Sequence, residues 1–286
     1  MPEAAHLIKP TYRRTFNPEP FPVPSFLALD IGNSAVKGGL FTGEKLDRVF
    51  HVEINLGDPS GEAASDTWMR ALRPHLQGTT VNGVGMASVV PEAVPVAQNV
   101  LRALTDSDVV IVDAEMALPF DLAYDTPKTL GADRLAAAAA AWLRYRQGAN
   151  DGTDAAGRSV IAIDAGTAVT YEVIDASGVY RGGAIAAGPV LIQRTLRSGT
   201  AQLPTVPLVF PTSPIGTSTR DAMQSGIMWG FIDSVQGMTN RLSALLADDP
   251  VIVLTGGWSP VLAEHLDPVD HVAPHLVLEG VHALIQ

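Results

Sequence analysis

Two copies of one α/β fold, joined through an alanine-rich helix, are what this sequence predicts, and three observations predict it. The first is a near repeat: Leu-Ala-Leu-Asp-Ile-Gly-Asn-Ser-Ala-Val at 27–36 returns as Ile-Ala-Ile-Asp-Ala-Gly-Thr-Ala-Val-Thr at 161–170. The second is that a similar order of short apolar strands and helices follows each copy. The third is the offset of 134 residues between the two Asp-x-Gly turns, far too long for a solenoid and suited to duplication of a whole domain. At 286 residues, 47% hydrophobic and 17% charged, the chain has the balance of a soluble globular protein and the length for two ordinary domains.

The elements follow in order. Apolar runs at 26–29, 35–41 and 46–54 are separated by Gly-Asn-Ser and by Thr42-Gly43-Glu44-Lys45, which predicts an antiparallel meander. Residues 62–76 place Trp68, Met69 and Leu72 on one side of a helix. A buried strand at 81–89 comes next. Pro91 suits the start of a helix over 94–104, and 109–112 is a further strand. The first copy therefore reads β-β-β-α-β-α-β. The second repeats it in part, with strands at 159–163, 168–174 and 179–185 and Ala176-Ser177-Gly178 as a turn. A helix after Gly188-Pro189, a long helical region over about 220–246, a strand at 251–254, the turn Thr255-Gly256-Gly257 and another helix complete it.

Between the copies, Leu135 and six alanines run on into Trp142, Leu143 and Tyr145. Alanine is the best helix former, so a stable helix is predicted here, with Asp133 in its first turn and small side chains that allow close packing. The expected boundaries are an arm over 1–24, an N-terminal domain over 25–128 and a C-terminal domain over 129–286. The arm carries six prolines and Arg13-Arg14. It reads as an extended segment outside the core or, alternatively, as a segment docked across a partner subunit. Residues 147–158, rich in Gly, Asp, Ala and Asn, read as an exposed insertion.

Composition excludes several functions. A net charge of −11 with four scattered lysines (Lys9, Lys37, Lys45, Lys128) argues against a nucleic-acid or membrane-surface binder, either of which needs a basic face. Cysteine is absent, which removes disulfides, thiol nucleophiles and thiolate metal sites and fits a cytoplasmic enzyme. No apolar run has the length of a membrane span, and no hydrophobic signal core interrupts the first 24 residues.

The repeated turn carries the chemistry. A strand that delivers a carboxylate into a glycine turn, followed by a small amide or hydroxyl residue, suits a polyphosphate and its cation. Glycine lets backbone N–H groups approach phosphate oxygens while the Asp faces the metal side. Two such turns suggest a nucleotide gripped from both sides, with ATP the first choice. Lys37, seven residues beyond Asp30 on the next strand, can reach a β- or γ-phosphate. Neither a Walker-type loop nor Gly-x-Gly-x-x-Gly is present.

Asp133 at a helix N-terminus is held ionised by the helix dipole. It can accept the proton of an attacking hydroxyl, a task that needs position more than basicity because the transition state of phosphoryl transfer is loose. Arg134 can hold an anionic group; the alternative for this pair is a helix-start charge with a surface ion pair. Gly182-Gly183 through Gly188-Pro189, and Thr255-Gly256-Gly257, allow a base or ribose to lie against the backbone, or are simply tight turns. The seven histidines show no metal-ligand spacing. His271 and His275 are four apart, but Pro274 breaks the helix that would align them, so all seven read as non-catalytic. Gly-x-Ser-x-Gly is missing, so a hydrolase elbow is not indicated.

Taken together, Asp30-Ile-Gly-Asn-Ser-Ala-Val-Lys-Gly-Gly-Leu-Phe41, Ser88-Val-Val-Pro91, Tyr124-x-x-Pro-x-x-Leu-Gly-Ala-Asp-Arg134, Asp164-Ala-Gly-Thr-Ala168, Gly182-Gly-x-Ile185, Thr219-x-x-Ala-x-x-x-Gly226 and Thr255-Gly-Gly257 resemble the type III pantothenate kinases. The motifs stand in the family's order over about 26–282. The resemblance implies duplicated ribonuclease-H-like domains of the actin, sugar-kinase and heat-shock ATPase superfamily, with a cleft between them. It implies ATP-dependent phosphorylation of pantothenate to 4′-phosphopantothenate, the first step of coenzyme A synthesis. Magnesium, a monovalent cation (potassium or ammonium) and a homodimer are implied as well.

Carried over by motif, Asp30, Ile31, Gly32, Asn33, Ser34, Ala35, Val36 and Lys37 bind ATP together with Thr167. Asp133 is the proton acceptor, Tyr124, Gly131, Ala132, Asp133, Arg134 and Thr219 contact pantothenate, and Asp164 ligates the monovalent cation. Ser34 stands where Thr is usual, Ala187 replaces a proline, and Asp125-Thr126 stands where Asn is common. A non-catalytic relative acting as a transcription accessory factor is the alternative, and retention of Asp133, Asp164 and Lys37 argues against it.

Overall fold

A computed structural model describes residues 25–33, 35–53, 62–147, 157–200 and 202–286. The arm over 1–24, Ser34 and residues 148–156 of the expected insertion lie outside the described residues.

The first sheet contains β1 (Ser25–Ile31), β2 (Val36–Thr42), β3 (Lys45–Val52), β4 (Gly83–Ser88) and β5 (Val109–Ile111), in the spatial order β3-β2-β1-β4-β5. The first three strands form the expected antiparallel meander, and β4 and β5 add in parallel on the other side of β1. Central position explains why β1 reads as a continuous apolar run: both of its faces are covered. Leu27, Leu29 and Ile31 pack outward with Trp68 and Leu72 of α1 (Glu62–Leu76) and Ala97 and Leu101 of α2 (Val94–Thr105). Pro91 opens a single tight turn, Pro91–Ala93, that runs directly into α2.

The second sheet repeats the plan. It contains β6 (Asp121–Leu122), β7 (Val160–Ala165), β8 (Ala168–Ile174), β9 (Val179–Ala187), β10 (Val251–Thr255) and β11 (His271–Val272), ordered β11-β10-β7-β8-β9-β6. Apart from the added edge strand β6, this is the order of the first sheet with β7 in the place of β1. Its outer face is covered by α5 (Thr219–Ser243) and α6 (Ser259–Ala263), through Phe231, Ile232, Val235 and Leu262. Helix α4 (Pro189–Gly199) packs beside α5.

Two helices fill the space between the sheets: α3 (Ala132–Tyr145) and α7 (Leu276–Leu284). One core joins Ala28 and Ala87 of the first sheet, Ala162 and Val253 of the second, and the alanines of α3. The alanine run thus has a tertiary reason. It lets α3 sit against α7 so closely that a Cβ on Gly280 would overlap the carbonyl of Ala136. Helix α7 ends the chain yet packs on β1 and β4, and His282 stacks on Phe41 with ring centroids 4.0 Å apart. Strands β6 and β11, of two residues each, were not expected, being too short to carry a periodic pattern.

Candidate active site

The strand pairing gives the two glycine turns the same plan but different lengths. In the first, Ile31 pairs with Val36, and the Gly32 N–H donates to the Ala35 carbonyl at 3.1 Å. In the second, Ala165 pairs with Val169, and the Gly166 N–H donates to the Ala168 carbonyl at 2.9 Å. The second turn is one residue tighter. Register therefore places Lys37 opposite Asp30, whereas Thr170 stands opposite Asp164. Only the first turn carries a cation beside its carboxylate.

The carboxylates that lead into the two turns line one cavity of about 280 Å³. Its walls include Asp30 and Lys37 of the first turn, Asp164 of the second, Thr255-Gly256-Gly257 with Ser259 and Pro260, and Pro274, His275, Val277 and Leu278 at the start of α7. Asp164 and Thr255 are register partners on β7 and β10. Gly256 has φ +86°, and a Cβ there would collide with the Asp164 carboxylate and the Ala165 carbonyl. No residue but glycine brings this turn so close to the carboxylate.

The electrostatics are those of carboxylates crowded around one ammonium. Burial lifts Asp30 to about 7; Lys37 opposes the shift, while Asp133 and Asp164 add to it. Asp164 is likewise raised by burial, lowered by Lys37 and raised by Asp133. Asp133 is raised by burial, against the backbone N–H and charge of Arg134. Asp133 is not a wall of the cavity, but its charge acts on both carboxylates inside it. Among the described residues, no three His, Cys, Asp or Glu side chains are grouped to hold a metal by themselves.

The remaining sequence-derived residues divide. Gly131 precedes α3, Ala132 is its first residue, and the Arg134 N–H donates to Asp133 Oδ1 at 2.8 Å. Arg134 is not the surface ion-pair residue of the alternative reading; it is buried, with its guanidinium on Glu172. Tyr124 stands edge-on to Tyr180, ring centroids 6.0 Å apart. Asn33 and Thr167 are exposed at their turns, and the Gly188 N–H donates to the Thr167 carbonyl at 3.0 Å. Thr219 does not join the cavity. It begins α5 and lines a separate apolar hollow with Ile192, Leu196, Leu203, Met223 and Ile227.

Three further residues of this region are placed by the structure: His51 and His275, which the sequence put aside as non-catalytic, and Glu172, for which it carried no expectation. His51 is the register partner of Lys37 on β3, so Asp30, Lys37 and His51 form a row across three strands, and His275 faces the same cavity. Burial, then Lys37 and His275, hold His51 below the usual imidazole value. Counting back along the 36–52 hairpin would have found His51. Glu172 gave no signal beyond being a charge inside a predicted apolar strand.

A family model described as type III pantothenate kinase matches residues 26–241. A type III pantothenate kinase of Chlorobaculum parvum is 35% identical over 266 residues, covering 91% of this chain and 94% of the relative. One from Frankia casuarinae is 34% identical over 261 residues, covering 91% and 98%. Among solved structures, a Campylobacter jejuni protein assigned to the Baf family of transcriptional activators aligns with TM-score 0.54 at 18% identity, covering 90% of this chain and 96% of that one. A glucokinase of the ROK family from Streptomyces griseus, in complex with glucose and AMPPNP, aligns with TM-score 0.50 at 16% identity, covering 91% and 99%. At these identities the two structures speak for the duplicated fold alone.

Proposed function

The chain belongs to the type III pantothenate kinase family and phosphorylates pantothenate with ATP, the first step of coenzyme A synthesis; we propose that the transfer takes place in the cavity between the two glycine turns. One observation carries this placement: Asp30, Lys37, Asp164 and Thr255-Gly256-Gly257 converge on that cavity from four strands of two sheets. In this reading the backbone of Ile31, Gly32, Asn33, Ala35 and Val36 cradles the phosphates, with Lys37 reaching the β- and γ-groups and Thr167 the opposite side. The Thr255–Gly257 turn offers a flat backbone surface to the nucleoside.

Asp133 accepts the proton of the primary hydroxyl of pantothenate. The hydroxyl oxygen bonds to the γ-phosphorus as the bond from that phosphorus to the β–γ bridging oxygen breaks, and ADP leaves. Tyr124, Gly131, Ala132 and Arg134 flank the acceptor. Thr219 lines a different hollow, so its expected contact with pantothenate is left out of this placement; the chain is proposed to act as a cytoplasmic homodimer.

The acidic pair fits cations shared with a nucleotide. Magnesium takes oxygen donors, keeps several waters and is usually held by one or two carboxylates together with phosphates. Asp30 is assigned to the magnesium side and Asp164 to potassium or ammonium. Each has its carboxyl raised by burial and a neighbouring carboxylate, which a bound cation would relieve. Positive charge there would draw off the negative charge that develops on the phosphoryl oxygens.

A coupled assay of pantothenate-dependent ADP release, with and without potassium, tests the reading. ADP release that requires pantothenate and is faster with potassium is expected. Its absence under both conditions would overturn the proposal in favour of a non-catalytic relative.

A further inference from the structure

Glu172, on β8, is 1% exposed, yet both of its oxygens are engaged. Arg134 Nε donates to Oε1 at 2.7 Å, Arg134 Nη2 donates to Oε2 at 2.9 Å, and the Tyr180 hydroxyl donates to Oε2 at 2.6 Å. Arg134 Nη2 lies 3.2 Å from the same hydroxyl. Burial works against the Arg134 charge. The paired hydrogen bonds and charge of Glu172, helped by Tyr180 and Tyr124, outweigh it and hold the guanidinium above its ordinary value.

A buried ion pair is a poor way to stabilise a fold, because desolvation consumes most of the attraction and apolar residues of similar size usually do as well. Orientation is what a bidentate fork secures, since two parallel hydrogen bonds fix the plane of the guanidinium. The object oriented here is the first turn of α3. Arg134 follows Asp133 directly, and its backbone N–H is bound to Asp133 Oδ1. A side chain clamped to β8 therefore prevents that turn from rotating or fraying, which helix starts otherwise do readily. Tyr124, itself beside Tyr180, extends the clamp to the segment before the helix.

We infer that Glu172, completed by Tyr180, is a positioning residue for phosphoryl transfer: it clamps Arg134 to the second sheet and so fixes Asp133 toward the acceptor hydroxyl. The inference rests on Asp133 being the proton acceptor. It adds a residue pair, on β8 and β9, that does not line the cavity.

The test uses the full-length protein with Glu172→Gln and Tyr180→Phe, each measured beside the wild type at a temperature where it is fully folded. Glu172→Gln should lower kcat/KM for pantothenate by roughly 10- to 100-fold, the usual scale for a misplaced catalytic group, with a raised pantothenate KM and an ATP KM within about twofold of wild type. Tyr180→Phe, which keeps the ring in place, should show the same pattern at roughly 3- to 10-fold. With every protein fully folded, a merely stabilising pair would leave kcat and both KM values near wild type; that result in Glu172→Gln overturns the inference. Hydrogen–deuterium exchange supplies the readout that does not depend on turnover. Residues 132–137 should exchange faster in Glu172→Gln, and unchanged exchange overturns the inference. A wild type without pantothenate-dependent ADP release would instead fail the functional reading, leaving the exchange result to decide the clamp.

Discussion

Replacing Asp30 by Asn separates what the first glycine turn costs the fold from what it gives the reaction. In the nucleotide-free protein, burial lifts this carboxyl from 3.8 to about 7. The folded state therefore holds the proton more tightly than the unfolded chain does. Below about pH 4 both states are protonated, and the group is neutral to stability. As pH rises from about 4 to about 7 the unfolded chain gives up its proton first, so stability falls, and above about 7 the loss is complete. One unit of pKa corresponds to about 1.4 kcal/mol, so a shift of this size is worth at most about 4 kcal/mol. The carboxylate is partly exposed to the cleft and the denatured chain is not fully solvated, which brings the expected effect nearer to about 2 kcal/mol.

Asp30→Asn has no charge to bury. It should melt close to wild type at pH 4.5 and about 4–8 °C above it at pH 8, from the scale linking free energy to melting temperature in chains of this size. Turnover should meanwhile drop at least about 100-fold, as expected when a charged group that acts on the transition state is lost. Calorimetry at the two pH values, in chelator and without nucleotide, reads the first effect, and ADP release reads the second. A variant no more stable at pH 8 than at pH 4.5, relative to wild type, would refute the burial argument even if activity were lost.

Asp133→Asn should reduce turnover by about 10²- to 10⁴-fold, the range for a positioned acid or base, while calorimetric ATP binding stays within about twofold; near-normal turnover would remove the residue from its role. Gly256→Ala puts a Cβ onto the Asp164 carboxylate and the Ala165 carbonyl at a positive φ, and should cost about 2–4 kcal/mol by thermal melting and blunt the response to potassium. Gly280→Ala drives a Cβ into the Ala136 carbonyl where α7 meets α3, so a loss of about 3 kcal/mol is expected, and a melting point equal to wild type would mean that the helices slide apart freely. Exchanging potassium for sodium should slow ADP release without preventing it, and Asp164→Asn should erase the difference between the two ions.

Much of the fold was legible because the signals that made it are local. Period-two and period-3.6 patterns, glycine turns and the alanine run act within a few residues of themselves, and they predicted the first meander, the helix carrying Asp133 and most of the order of elements, but neither the short strands β6 and β11 nor the division of the last helical stretch into α6 and α7. The repeat also announced that Asp30 and Asp164 hold equivalent places, at the ends of the central strands β1 and β7. Pairing by sequence offset matches Lys37 with Tyr171. The tighter second turn instead sets Thr170 opposite Asp164, because register follows turn length and a slip of one residue exchanges the faces of a strand.

By itself, then, the sequence determined the duplicated α/β plan, the two carboxylate-bearing turns and the family to which the chain belongs. Only tertiary structure decided the company those groups keep: His51 in line with Lys37, His275 brought in by a helix from the far end of the chain, Glu172 buried beneath Arg134, and Thr219 left on another surface. The physical reason is that local propensity is a property of neighbours along the chain. Burial, charge and clamping belong to neighbours in space, and those are fixed when two sheets close on α3 and α7.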